Sequence, residues 1–208
     1  MITEATVNQL EDLPGFGARM MYLLERRKQK MLRAVKSWSP SWLTYAPSAL
    51  DWSMLMIFDH LARTERAMRI SCEAQLNQPA ARPSMGEKLR AHFFFLAFRF
   101  PIRVRVPRTV DFVQPVAPSS LDELTCAWAE EREKLCAFLM REDSLSLEAT
   151  AMRHPAVGAL SLRDALRFLV VHLWHHEFQI RRLRRAIAKA YLQTRGPGGG
   201  SRHITSQD

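Results

Sequence analysis

Two histidines four residues apart, His172 and His176, lie in the apolar segment Phe168-Leu-Val-Val-His-Leu-Trp-His-His-Glu-Phe-Gln-Ile180. On an α-helix that spacing stacks both imidazoles on one face, close enough to share a cation, whereas His175 points off that face. Two ligands do not make a site. The third candidate is His60, which falls on the apolar stripe of another predicted helix with Trp52, Met56, Ile57 and Ala67. Three neutral imidazoles with a vacant fourth position are what a catalytic zinc, or a comparable nickel, iron or manganese ion, requires. Such an ion lowers the pKa of a bound water toward about 7, or holds a bound thiol as thiolate, and either supplies a nucleophile at neutral pH. The competing reading is of core histidines satisfied by hydrogen bonds, or of histidines on a wet face.

The neighbours of the three histidines are less specific. Gln179 follows His176 by three residues and shares its face, so it could orient a ligand or a water, or simply pack as a buried amide. Trp52 and Trp174, with Met56, are candidates for cavity walls or for plain core. Asp59 and Glu177 each adjoin a proposed ligand in sequence and are therefore turned about 100° from its face, which disqualifies both as evident general bases. Glu65 and Glu73, further along the same helix as His60, are expected to be solvated. Arg181, Arg184 and Arg185, with Arg182, Lys189 and Arg195 beside them, form a basic stripe that could track phosphates. The plainer account is a solvated basic helix end favoured by the macrodipole. No helix-turn-helix or finger spacing accompanies the stripe.

The elements that must position these residues read as helices. A first helix carries Met20, Met21, Leu23, Leu24, Met31, Leu32 and Val35 after the Pro14-Gly15 turn, and a loop containing Pro40 and Pro47 ends it. Ser48 with Asp51 resembles a capping box opening the helix of His60, which runs to about Leu76. Ser84 with Glu87 opens a short helix through Leu89, Phe93 and Leu96. Phe98 to Val106 alternates apolar and basic residues and, lacking a partner strand, is expected to be an extended connection. After a loop spanning 107–119, Ser120 with Glu123 caps a helix to about Arg141. Residues 143–160 are expected to be mostly irregular, with turns at His154-Pro155 and Gly158. Ser161 with Asp164 opens the last helix, which runs to about Gln193 with its basic end projecting. The glycine-rich tail, 196–208, has no means of burying surface and is expected to be disordered.

Four long helices and one short one, with no paired strands, predict an all-α bundle in one domain over 1–195, with ligand sites between facing helices. The 208-residue chain is 47% hydrophobic, enough for a sizeable core, and its net charge of +9 points to an anionic partner: nucleic acid, phospholipid head groups or an acidic small molecule. Aromatic residues are not interleaved with the basic ones, which counts against nucleic acid. Cys72, Cys126 and Cys136 have no paired spacing and read as reduced thiols of a cytoplasmic protein. No secretory signal is evident at the N-terminus. The longest apolar run, Phe93 to Phe98, is too short to span a bilayer, so no membrane partner is expected.

The wording around the histidines resembles the DinB-like superfamily. The resemblance rests on Trp52-Ser53, on Ile57-Phe58-Asp59-His60-Leu61, and on His154-Pro155-Ala-Val-Gly158 leading into His172-x-x-x-His176-x-x-Gln179-Ile180, in that order and separation, over roughly residues 20–192. It implies a four-helix bundle, up-down with a long crossover connection and one additional short helix, often a homodimer. It also implies a divalent metal, zinc or nickel foremost with iron or manganese as alternatives, held by His60 from the second helix and by His172 and His176 from the last. Similar proteins include metal-dependent S-transferases using low-molecular-weight thiols such as bacillithiol or mycothiol, a thiol-dependent maleylpyruvate isomerase, and hydrolases acting on small-molecule substrates. A non-catalytic metal-binding protein and a basic module for nucleic acid are the other readings.

Overall fold

The structure is a computed structural model and describes residues 15–76, 81–102, 111–116, 120–141 and 147–194. The tail read from 196 onward, most of the segment before the first helix and parts of the two expected connections lie outside the described residues.

Four long helices make the bundle: α1 (Gly15–Arg33), α3 (Met54–Leu76), α5 (Leu121–Arg141) and α6 (Leu162–Thr194). Each buries the stripe its sequence presents. Met20, Met21, Leu24 and Met31 of α1 face Met54, Ile57, Phe58, Leu61 and Met68 of α3, Trp128, Leu135 and Phe138 of α5, and Leu166, Leu169, Leu173 and Ile180 of α6 in one core. α3 is the hub, packing against α5 and α6, while α1 lies along α6.

Helix starts follow their caps. Ser84 accepts the N–H of Glu87, and the Glu87 carboxylate accepts the N–H of Ser84, closing the expected capping box of α4 (Met85–Ala97). Ser120 and Ser161 accept the N–H groups of Glu123 and Asp164 in the same way for α5 and α6. The expected start at Ser48 is corrected. Ser48 bonds the Asp51 carboxylate at 2.8 Å and the Leu50 N–H in a turn of its own, and α3 begins at Met54 with Ser53 accepting the Met56 N–H. Trp52 therefore sits in the lead-in to α3. A further short helix, α2 (Pro40–Thr44), occupies the expected loop, with Pro40 at its first position where a missing N–H costs nothing.

Two more expectations are corrected. Residues 143–160 were expected to be mostly irregular and without paired strands. Instead β1 (Thr150–His154) and β2 (Gly158–Ser161) form an antiparallel pair, with Met152 opposite Leu160, Arg153 opposite Ala159 and His154 opposite Gly158. The hairpin survives at this length because it lies on α3 and α6 and because Thr150 N–H bonds Ala81 C=O at 2.8 Å. After α4 the chain does not extend at once: Phe98, Arg99 and Phe100 donate their N–H groups to Phe94, Leu96 and Ala97 and prolong the helix in tight turns. Nor does the end of α6 project freely, since Leu183 and Ile187 are buried and Tyr191 packs edge-on against Trp42 of α2.

Candidate metal centre

His60 comes from the second turn of α3, and His172 and His176 from the middle of α6, where those two helices face each other. Their side chains converge. His172 Nε2 is 3.2 Å from His60 Nε2 and 3.1 Å from His176 Nε2, and the three donor atoms all lie within 4.8 Å of one another. All three residues are buried. No other such group of three is found among the described residues.

The opposite ring nitrogens are already committed. His60 Nδ1 lies 2.7 Å from the carbonyl oxygen of Val113, which can only accept, so Nδ1 carries the proton and Nε2 presents a lone pair. His176 Nδ1 lies 2.7 Å from Gln179 Oε1 and is protonated for the same reason. His172 Nε2 sits between the other two and can donate a proton to one of them at most. Without a cation, at least one of the His60 and His176 Nε2 atoms would be left without a hydrogen-bond donor in the buried interior. The trio therefore fits a metal. Nitrogens bound to a tetrahedral ion at about 2.0–2.1 Å stand about 3.3 Å apart, close to the two separations measured from His172 Nε2.

Burial also keeps the rings in the form that binds. Loss of solvent, reinforced by the neighbouring imidazoles, holds His172 and His176 well below the ordinary histidine pKa, and burial lowers His60 as well. The walls are aromatic. Trp52 lies 4.8 Å from the His60 ring and stacks at 6.4 Å on His176, Phe168 stacks at 5.1 Å on His172, and Phe98 stands 6.3 Å from His172. Met56 is half-buried one turn ahead of His60.

Other expected residues fall elsewhere. His175 is buried against Phe98 with its Nδ1 lacking a hydrogen-bond partner, and it stays outside the convergence. Trp174, a candidate wall, is held instead between the guanidinium groups of Arg27 and Arg99. Glu177 is bound by Arg27 at 2.6 Å and Lys30 at 2.8 Å and ties α6 to α1. Asp59 accepts from Arg63 and from the N–H of Val116, both on its Oδ2. It thereby anchors the loop whose Val113 carbonyl holds His60. Neither acid is free to act as a base at the histidines. In the basic stripe, Arg181 bonds the Glu177 carbonyl and lies over Phe178, Arg184 lies over Trp38, and Arg185 is exposed.

Glu65 was expected in solvent and is instead deeply buried. Arg132 of α5 grips both its oxygens, through Nε to Oε1 and through Nη2 to Oε2 at 2.8 Å, and Trp128 Nε1 donates to Oε2 at 3.0 Å. Arg132 also reaches Glu25 at 3.2 Å, which pairs with Lys28 at 3.0 Å. The signal was present: Glu25, Lys28, Glu65 and Arg132 each fall on the apolar stripe of their helix. The Val113 carbonyl carries no such signal, because any residue supplies one.

Fold and site together define a helical bundle with a buried, metal-competent histidine trio between two of its helices. A family model described as the DinB superfamily matches residues 23–180, and the chain belongs to that superfamily. A search of curated proteins gave no match to the chain.

Proposed function

We propose that the protein is a metal-dependent enzyme that activates a thiol or a water for attack on a small electrophilic substrate, with thiol S-transfer as the foremost reaction. One observation carries the reading: three buried Nε2 atoms converge, and two of the three rings are held in the ligating tautomer by Val113 and Gln179. A divalent ion held by three imidazoles, zinc or nickel before iron or manganese, supplies a Lewis-acidic open position that makes a thiol or water nucleophilic near neutral pH. The chain's own residues hold the rings and bury them away from water. Trp52, Phe98 and Phe168 surround the imidazoles with aromatic surface, which suits an apolar electrophile and strengthens electrostatic interactions inside. With Asp59 and Glu177 tied elsewhere, the reaction relies on a nucleophile that needs little help from a protein base, and a thiol meets that need better than water.

All three ligands come from one chain, so the homodimer implied by the resemblance is not required to complete the site. The cysteines are free, with Cys72 and Cys136 buried, in keeping with the reducing cytoplasm we assign to the protein. Among the described residues no helix is long and apolar enough to cross a membrane.

Elemental analysis of the purified protein is the test. The expected result is a stoichiometric divalent ion that His60→Ala and His172→Ala each lose, with a higher melting temperature for the loaded wild type than for the chelated one. Wild-type protein that takes up no ion from zinc or nickel solutions ends the metal reading. With the ion in place, a glutathione-class thiol and a model electrophile are combined; turnover unchanged in His60→Ala refutes the transferase reading.

A further inference from the structure

α4 buries one side and leaves the other bare. Its inner side packs Ala91, Phe94 and Phe98 over His154, Phe168 and His175. Its outer side carries Met85, Leu89, Phe93 and Leu96, and Phe100 follows in the tight turns that prolong the helix, every one between 44% and 79% exposed. At 3.6 residues per turn the four helical positions fall within a sector of about 80°, and Phe100 is exposed just past the helix end. They form one continuous apolar stripe, not isolated surface residues, and Ile102 is exposed just beyond it. A stripe of this kind on a soluble bundle marks a docking surface.

Among the described residues the charge flanking it is mainly basic. Half-buried Lys88, exposed His92 and exposed Arg99, whose guanidinium also stands 5.6 Å from the Trp174 ring, lie along one flank; Arg90, which donates to the Val157 carbonyl, lies along the other, with Arg82 exposed just ahead of the helix. Glu87, the only acid between residues 81 and 102, is turned inward, bonded to Ser84 and to the N–H of Ala159. Glu148 lies near Arg82 and Lys88 but is itself bonded to Arg163 Nε at 2.7 Å. The complement is an anionic surface able to receive apolar side chains.

We propose that the outer side of α4 is a peripheral membrane-binding face that inserts Leu89, Phe93, Leu96 and Phe100 at the headgroup boundary of an anionic bilayer, with Lys88 and Arg99 on the lipid phosphates. The face is the convex side of a single helix with large side chains standing out from it, and a fluid bilayer accommodates such a ridge without a matching groove. A second copy docking through the same stripe would bring Lys88 and Arg99 against their own counterparts, which like charge disfavours. The chain's net charge of +9 adds long-range attraction to a negative leaflet. Such binding lies on the membrane and is compatible with the absence of a spanning helix among the described residues.

Flotation of the full chain with phosphatidylcholine vesicles, with and without about 30% phosphatidylglycerol, tests the assignment. The expected result is binding to the anionic vesicles only, weakened by salt. Phe93→Ser with Leu96→Ser should lower it at least about tenfold, and Lys88→Gln with Arg99→Gln by up to about 25-fold, each cation near the surface being worth about fivefold. Phe93, Leu96 and Arg99 are exposed and Lys88 is half-buried at the surface, so both variants should keep the wild-type circular dichroism and metal content. No flotation at low salt overturns the proposal, as does binding indifferent to the Phe93→Ser/Leu96→Ser change. A dimer in light scattering that those two substitutions split into monomers also overturns it, and makes the stripe an interface between copies.

Discussion

At the scale of single residues, metal binding at the proposed centre would depend on which nitrogen of each ring is offered, and that is decided by groups other than the three ligands themselves. Val113 C=O fixes His60 and Gln179 Oε1 fixes His176. Outer partners of this kind typically change metal affinity by about 10–100-fold when lost. Gln179→Ala should therefore weaken metal binding by about that factor in a competition titration with a chromogenic chelator, while Gln179→Glu, which still accepts from Nδ1, should retain most of it. Equal loss in both variants would show that the amide merely packs. Gln179 was readable from its spacing to His176. The Val113 contact was not, since it is made by backbone from a loop that Asp59 holds through Val116 N–H at 2.8 Å.

At the scale of elements, the β1–β2 hairpin joins α4 to the head of α6. Gly158 takes φ +87 in the turn-flanking position, and a Cβ there would lie 2.7 Å from Glu87 Oε1, the oxygen that accepts the Ala159 N–H. Gly158→Ala meets both the left-handed backbone and that carboxylate, so it should cost about 1–3 kcal/mol in urea denaturation. His154 ends β1 with its ring beside Phe94 and Phe168 and its Nδ1 accepting the Ala156 N–H. Burial pushes its pKa down to about 4 from an ordinary 6.5. The folded chain thus resists a proton that the unfolded chain takes up, so this contribution to stability is complete above about pH 6.5 and drains away as pH falls toward 4. At about 1.4 kcal/mol per pKa unit the loss is at most about 3.5 kcal/mol, and in chelated protein His154→Asn should flatten the denaturation-midpoint profile over that window relative to wild type. The His-Pro-x-x-Gly turn was legible in the sequence; the strands flanking it were not. Thr150-Ala-Met-Arg-His and Gly-Ala-Leu-Ser are short and poor in β-branched residues, and they pair only because α3 and α6 lie beneath them. Local pattern likewise misplaced the start of α3, because Ser48 and Asp51 satisfy each other in a turn as readily as they would cap a helix.

At the scale of the whole molecule, apolar periodicity sufficed for the bundle and for the meeting of His60 with His172 and His176, since both depend on which side of a helix faces the core. What the hydropathy rule passed over is the charge inside that core: the four residues fall on apolar stripes, but a rule that sends charged residues to solvent has no place for four that meet each other. Glu25, Lys28, Glu65 and Arg132 join α1, α3 and α5 through Arg132 at the centre. Removing one partner strands the rest: Arg132→Ala leaves Glu65 with only the Trp128 N–H and Glu25 with Lys28 and Gln29. The expected cost is about 3–5 kcal/mol, seen as an early midpoint in urea, with metal affinity per folded molecule unchanged because the cluster does not touch the histidines. Replacing all four residues together by leucine should behave differently. Desolvating two carboxylates and two cations roughly cancels their mutual attraction, so the apolar version should lie within about 2 kcal/mol of wild type or above it, less the Trp128 N–H left without its acceptor. A fourfold variant as unstable as Arg132→Ala would mean that the cluster holds the three helices in register and that its loss allows them to slip. In that event metal binding by His60 of α3 with His172 and His176 of α6 should fall as well, which an isothermal titration of the variant would detect.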